Sequence, residues 1–191
     1  MNRPLRIVFT SLKHKTAGKH SAFMPLAIGF IAAYTRKRLG ANKVEFKLLE
    51  DTDLVLDALD DWQPDVLAMS HYCWNAELNY LVMEEAKKRC PGIVTIAGGP
   101  EFPDIELKGE CYDLMSTHPE IDLFSYGEGE FAFAELAENL IAGAEISDLK
   151  NTPQLGLVSI APRNGELVIG QRSDRLKQMD EFPSPYLEGV M

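Results

Sequence analysis

Ser70 and the pair Gly98-Gly99 are the residues of this sequence whose types and spacing best fit a chemical task. Ser70 closes the apolar run Asp65-Val66-Leu67-Ala68-Met69-Ser70, and the glycines close Ile93-Val94-Thr95-Ile96-Ala97-Gly98-Gly99. Runs of this kind read as strands buried on both faces of a parallel sheet. Ligands of open α/β sheets collect in the crevice outside the carboxyl ends of the strands, which is where both sets of residues fall. Glycine there permits φ > 0 and close approach of another group to the backbone, although a Gly-Gly pair taken alone also suits an ordinary tight turn. The 25 residues between Tyr72 and Gly98 match one helix and one strand, so the two strand ends are expected to be neighbours. Together they would form a slot with a hydroxyl on one wall and bare backbone on the other. Tyr72 and Trp74 would add aromatic surface at the rim, and such a site suits a large planar ligand or its tail.

Other chemistries fit less well. Gly127-x-Gly129-x-x-Ala132 matches the dinucleotide fingerprint between a strand and a helix, but in the fifth unit rather than the first. Its glycines equally make a turn whose Glu128 and Glu130 complement a helix N-terminus. A phosphoacceptor domain needs acidic residues after the first strand, where Thr10-Ser11 stands, and no G-x-x-x-x-G-K-[ST] loop is present. Cys73 as a nucleophile would need a base; His71, two residues away on a loop, is poorly placed to serve.

The elements that must carry these residues are legible in order. Leu5 to Phe9 reads as a first strand, followed by a polar loop from Leu12 to Ser21. Leu26, Phe30, Ala33 and Tyr34 then share a helical face, with Pro25 suited to the first turn and Gly40 to the stop. Lys43 to Leu49 is a second strand, Leu54 to Asp61 a short acidic helix, and Asp65 to Ser70 the third strand. Asn75 suits the N-cap of a helix from Ala76 to Cys90 with Leu78, Leu81, Val82 and Ala86 inward. After the fourth strand, Asp104 to Thr117 is a weaker helix interrupted by Gly109, and Ile121 to Ser125 a fifth strand. The last helix turns Phe133, Leu136, Ala137 and Leu140 inward and ends at Gly143.

This alternation predicts an α/β fold: a doubly wound, Rossmann-like five-stranded parallel sheet of flavodoxin-like order 2-1-3-4-5 over residues 1–150. Residues 151–191 then hold a C-terminal β-hairpin, turned at Arg163-Asn164-Gly165, and a linker from Met179 to Tyr186 with no core of its own.

Composition limits the partners. The chain has 191 residues and a formal net charge of −10, and the basic run Arg36-Lys37-Arg38 sits at a helix end. Nucleic acid, which needs a basic surface, is therefore not expected as a partner. No apolar window suggests a membrane span or signal peptide. Cys73, Cys90 and Cys111 lie 17 and 21 residues apart, a spacing that fits neither a metal motif nor a disulfide framework. A reducing cytoplasm is the expected compartment.

Several stretches, taken in order, carry a resemblance. They are Met24-Pro25-Leu26-Ala27-Ile28-Gly29-Phe30-Ile31-Ala32-Ala33-Tyr34, Pro64 to Ser70, Ile96-Ala97-Gly98-Gly99-Pro100-Glu101 and His118-Pro119-Glu120-Ile121-Asp122. Tyr126-Gly127-Glu128-Gly129-Glu130 and Met179-Asp180-Glu181-Phe182-Pro183-Ser184-Pro185-Tyr186-Leu187 complete the set and are its strongest parts. The chain resembles the N-terminal cobalamin-binding-like domain of B12-dependent radical S-adenosylmethionine enzymes.

That resemblance implies cobalamin, with its cobalt ion, lying over the carboxyl ends of strands one, three, four and five. Gly98 and Gly99 would line a slot for its nucleotide tail, and Ser70 would hydrogen-bond the tail. His71, Tyr72, Trp74, Glu101 and Tyr126 are implied as rim residues, with Pro100, Gly127 and Glu128 completing the cofactor-binding set. A substitution such as Gly99→Val is expected to block the tail while leaving the fold standing. No catalytic residue is expected in this chain. The iron–sulfur cluster and S-adenosylmethionine would belong to a downstream radical domain with a C-x-x-x-C-x-x-C motif, which this sequence lacks. The rival expectation keeps the fold as a cofactor-free docking or dimerisation module, including a homodimer, with the aromatic loop His71 to Trp74 as its interface.

Corrinoid domains of the methionine-synthase type carry D-x-H-x-x-G after the first strand, whose His is the lower cobalt ligand. Here Leu12-Lys13-His14-Lys15-Thr16-Ala17-Gly18 replaces the Asp with Leu12 and displaces the Gly by one. A ligating His usually hands its other ring proton to a carboxylate, and the residue two before His14 is not one. Cob(II)alamin bound to the protein is therefore expected to show no nitrogen superhyperfine splitting in its electron paramagnetic resonance spectrum. Splitting that disappears in His14→Ala would assign the ligand to His14 instead.

Overall fold

β-Branched runs alternating with helical patterns produce a seven-stranded sheet in the computed structural model, which describes residues 3–13, 25–173 and 182–191. The elements are β1 (Leu5–Thr10), α1 (Leu26–Leu39), β2 (Val44–Leu49), α2 (Thr52–Asp61), β3 (Val66–Ser70), α3 (Ala76–Arg89) and β4 (Val94–Gly98). They continue as α4 (Lys108–Thr117), β5 (Leu123–Ser125), α5 (Gly129–Ile141), α6 (Ile146–Lys150), β6 (Leu157–Ile160) and β7 (Leu167–Ile169). The strand order is β2-β1-β3-β4-β5-β6-β7. The first five strands pair in parallel, in the expected 2-1-3-4-5 order. The hairpin is continuous with them: β6 joins β5 antiparallel and β7 joins β6, extending the same sheet.

Side chains alternate across the pleat, so each strand feeds two cores. Ile7, Phe9, Val66, Ala68, Val94, Ile96 and Leu123 pack under α1 and α5. Val8, Leu67, Met69, Ala97 and Phe124 pack on the other face with residues of α2, α3 and α4. Phe9 and Phe124 are both fully buried, one on each side. Each such side chain contributes roughly 2 to 3 kcal/mol by leaving water.

Two helices are rotated relative to their expected faces. In α3 the inward positions are Ala76, Asn79, Val82, Met83 and Ala86, while Leu81 is 60% exposed. Asn79 replaces Leu81 inside because its amide makes hydrogen bonds there, described below. In α1 the buried residues are Ile28, Gly29, Ala32, Ala33 and Thr35, and Leu26 is exposed. The Phe30 and Tyr34 side of that helix is covered instead by Phe182, whose ring lies 6.4 Å and 5.4 Å from theirs. Residues 182–191, which include the described part of the stretch read as linker, therefore reach α1, with Pro185 and Met191 over Gly29. The loop bearing His14 and His20, and linker residues 179–181, fall outside the described residues.

A buried carboxylate ties two helices to the sheet. Asp122 accepts from the Thr95 backbone N–H at 2.9 Å and the Thr95 hydroxyl at 3.1 Å. It also pairs with Lys87 of α3 and, at 3.4 Å, with Lys150 of α6.

The carboxyl ends of β3 and β4 meet backbone to backbone. The His71 N–H donates to the Gly98 carbonyl at 2.8 Å. Gly99 has φ +152°, and a Cβ placed on it would fall 2.1 Å from the His71 carbonyl oxygen. Gly99 is thus a structural glycine, and the expectation that a side chain there spares the fold is corrected: backbone, which cannot swing aside, occupies the space. Gly99→Ala is expected to lower stability by about 3 kcal/mol or more, read as a fall in the thermal or urea midpoint. An unchanged midpoint would contradict this account.

Candidate functional site

The registers of β3, β4 and β5 bring Ser70, Gly98 and Ser125 into one row at the carboxyl edge of the sheet. The row below it contains Phe9, Ala68, Ile96 and Leu123. By strand alternation both rows face α1 and α5. Above them opens a cavity of about 270 Å³. Its apolar lining includes Phe9, Ile28, Ile31, Ala68, Ile96 and Phe133; its polar lining includes Ser70, Ser125, Glu128 and Glu130.

Gly98 keeps the middle of the row bare. A Cβ there would lie 3.3 Å from Ser125 Cβ, a tight contact that requires a shift of a few tenths of an ångström. The Ser125 hydroxyl is buried and has no hydrogen-bond partner among the described residues. An unpaired buried hydroxyl costs on the order of 1 to 3 kcal/mol, so it marks a place where a ligand atom would gain. Burial raises the Glu130 carboxyl above its ordinary value, and the nearby Glu128 charge raises it further, against a hydrogen bond from its own backbone.

Of the residues proposed from the sequence, the cavity brings together Ser70, Tyr72, Gly98, Gly99, Gly127 and Glu128. It does not include His71, Trp74, Pro100, Glu101 or Tyr126. Pro100 and Glu101 are exposed in the turn after β4. The Tyr126 hydroxyl turns away and donates to the Gly170 carbonyl beside β7. Trp74 is 59% exposed and stacks on Tyr72, with centroids 4.4 Å apart. Sequence reasoning missed Ser125, Glu130 and the apolar walls. The available signal was a polar residue closing the fifth strand, but assigning it to the row required the register of β5 against β4.

His71 is the clearest displacement, and strand alternation explains it. The residue following Ser70 points to the opposite face, where His71 is fully buried against Phe124 and Tyr80. Asn79 Nδ2 donates to the Ser70 carbonyl at 2.9 Å and to His71 Nδ1 at 3.2 Å. Reversing that amide would set its oxygen against these acceptors, so Nδ1 is an acceptor and Nε2 carries the proton. Nε2 then donates to the Tyr80 hydroxyl at 3.1 Å. The Tyr80 ring stacks on His118, whose Nδ1 lies 2.8 Å from Glu120. Asn75 does not cap α3 with its side chain, as its type suggested. Its Oδ1 accepts from the Tyr72 N–H at 2.9 Å and its Nδ2 donates to the Ser70 carbonyl at 3.1 Å. The two asparagines therefore hold the loop that presents Tyr72 to the cavity.

Among the described residues, no group of three or more His, Cys, Asp or Glu is arranged to hold a metal ion. Cys73 is exposed, whereas Cys90 and Cys111 are buried; all three are free thiols. No helix among the described residues is long and apolar enough to cross a membrane.

Fold and cavity together define an open, Rossmann-like α/β domain with a cavity at the carboxyl edge of its 2-1-3-4-5 strands. No protein-family model matches the chain. The cobalamin-dependent radical S-adenosylmethionine enzyme OxsB, solved with aqua-cobalamin and S-adenosylmethionine bound, superposes with a TM-score of 0.71 at 15% identity. That match covers 98% of this chain and 25% of OxsB, and it shows the fold. In sequence, the chain is 34% identical over 175 residues to the cobalamin-dependent radical SAM methyltransferase TokK of Streptomyces tokunonensis. It is 35% identical over 176 residues to the 2-(S-pantetheinyl)-carbapenam-3-carboxylate methyltransferase of Streptantibioticus cattleyicolor. Each match takes in 88% of this chain and 24% of the relative, so the chain spans about a quarter of their length. These relatives bear out the resemblance drawn from the sequence.

Burial, and secondarily the His118 charge, lowers the His71 pKa from 6.5 to about 4. Unfolded chains then take up a proton near 6.5 that folded chains refuse until about 4. The neutral ring's contribution is fully present above 6.5 and is lost as pH falls through this window, by up to about 3 kcal/mol. Melting temperatures measured across the window should fall more steeply for the wild type than for His71→Gln. Parallel curves would show that His71 is not the group responsible.

Proposed function

We propose that this chain is the cobalamin-binding domain of a B12-dependent radical S-adenosylmethionine enzyme, acting in the cytoplasm and non-catalytic by itself. The observation that carries this reading is the row Ser70–Gly98–Ser125: bare backbone flanked by two hydroxyls, one buried without a partner among the described residues, at the mouth of an apolar cavity. These residues fit a flat, mostly apolar ring with a polar edge, which is the character of a corrinoid's nucleotide base. Similarity to TokK, a cobalamin-dependent methyltransferase, supports the same ligand.

Bound cobalamin would supply a redox-active cobalt for the parent enzyme's chemistry. The chain's own residues do the holding. Ser70 hydrogen-bonds the tail, Gly98 gives it clearance, and Phe9, Ile28 and Phe133 exclude water from it. Gly99 acts one step removed, by fixing the β3 and β4 ends against each other. Tyr72, Gly127 and Glu128 form the mouth, with Trp74 backing Tyr72. The partner is then a downstream radical domain of the same polypeptide, which would carry the iron–sulfur cluster and S-adenosylmethionine.

One observation favours a second reading. The Tyr72–Trp74 stack leaves Trp74 59% exposed, an aromatic surface that also suits a cofactor-free docking or homodimer interface. Titration with hydroxocobalamin, followed by absorbance and calorimetry, separates the two. Stoichiometric binding is expected, weakened at least about tenfold in Gly98→Val with an unchanged melt, because the valine fills the bare middle of the row. No binding by the wild type, together with self-association that Trp74→Ala abolishes, would decide for the interface.

A further inference from the structure

Ser70 and Ser125 lie on β3 and β5, with β4 between them and Gly98 at the midpoint of the row. Neighbouring strands are roughly 4.8 Å apart, so the two serines face each other across about 10 Å of bare backbone. That is about the span of a flat two-ring heterocycle with a hydrogen bond of roughly 2.9 Å at each end. The apolar residues Phe9, Ala68 and Ile96 provide the surface beneath such a ring. Ser125 has its hydroxyl buried and unpaired among the described residues. Glu130, in the first turn of α5, lines the same cavity, and the residue before it, Gly129, approaches the Ser125 hydroxyl, where a Cβ would lie 3.7 Å away.

A ring lying across Gly98 thus meets polar groups at both edges. Dimethylbenzimidazole satisfies only one of them: its nitrogens sit on the five-membered ring, and its opposite edge carries two methyl groups. Set against Ser125, those methyls leave the hydroxyl without a partner, at a cost that a polar edge avoids. A purine carries nitrogen at both ends, and an adenine adds an exocyclic amino group with two protons to donate. Ser125 accepts one of these protons and Glu130 the other, while Ser70 pairs with a nitrogen of the opposite ring.

We propose that Ser125, assisted by Glu130, makes this cavity selective for a corrinoid whose tail base is a purine over one whose base is dimethylbenzimidazole. This inference rests on the reading of the chain as a corrinoid-binding domain. It is tested by measuring dissociation constants for three probes: adeninylcobamide, cobalamin, and cobinamide, which lacks the nucleotide. The wild type is expected to bind adeninylcobamide at least about fivefold more tightly than cobalamin, the equivalent of one net hydrogen bond. Cobinamide should bind more weakly than either. In Ser125→Ala the ratio of the first two constants should fall to about one; should that variant fail to fold, the wild-type ratio decides alone. Equal or tighter binding of cobalamin overturns the selectivity and leaves the corrinoid reading standing. Cobinamide binding as tightly as both others removes the tail from the cavity and overturns the inference in the same way. Binding of none of the three overturns the corrinoid reading itself.

Discussion

The close approach of the β3 and β4 ends is the constraint on which the site depends. Parallel strands need crossover helices, so their carboxyl ends meet only where the chain permits two backbones to come together. Here the His71 N–H reaches the Gly98 carbonyl, and Gly99 omits the one atom that would collide with the His71 carbonyl oxygen. With those ends fixed, the row Ser70–Gly98–Ser125 becomes straight and the floor under it continuous. The cavity is what remains when a side chain is missing from the centre of that row.

Alternation of the pleat assigns the neighbouring residues to opposite tasks. Ser70 faces the cavity and α1, whereas His71, one residue on, is sealed among Phe124, Tyr80 and Asn79. The pair of asparagines joins the two sides, because both bond the Ser70 carbonyl while one also bonds His71 and the other the Tyr72 N–H. Such a network is worth having only when complete, since any buried polar group left without a partner costs more than an apolar replacement. Here Asn79 Oδ1 is an exception, without a partner among the described residues.

The two ends of the sheet differ in how they handle charge. At the amino side of β5, the Asp122 carboxylate is surrounded by two lysines and the Thr95 donors, a satisfied arrangement that anchors α3 and α6. At the carboxyl side, the Ser125 hydroxyl is buried without a partner among the described residues, and the half-buried Glu130 carboxyl shifts toward its neutral form through desolvation. The satisfied carboxylate thus lies at the amino end of β5 and the unpaired Ser125 hydroxyl at its carboxyl end.

The sequence by itself determined the order of strands and helices, the parallel sheet, and the placing of Ser70 and the glycine pair at strand ends. These are local properties: a run of β-branched residues, a helical period, and a glycine at a strand end are visible within a few positions. Tertiary structure alone decided which residues share a space. Whether Ser125 joins Ser70 depends on the register of β5 against β4, set by long-range pairing and not by either strand's own residues. Whether Leu81 or Asn79 faces inward depended on acceptors that α3 meets only after docking, the Ser70 carbonyl and His71. Gly99 looked like a site for a ligand and proved to be a site for another backbone, because the sequence shows that a Cβ is absent but not what lies where it would have been.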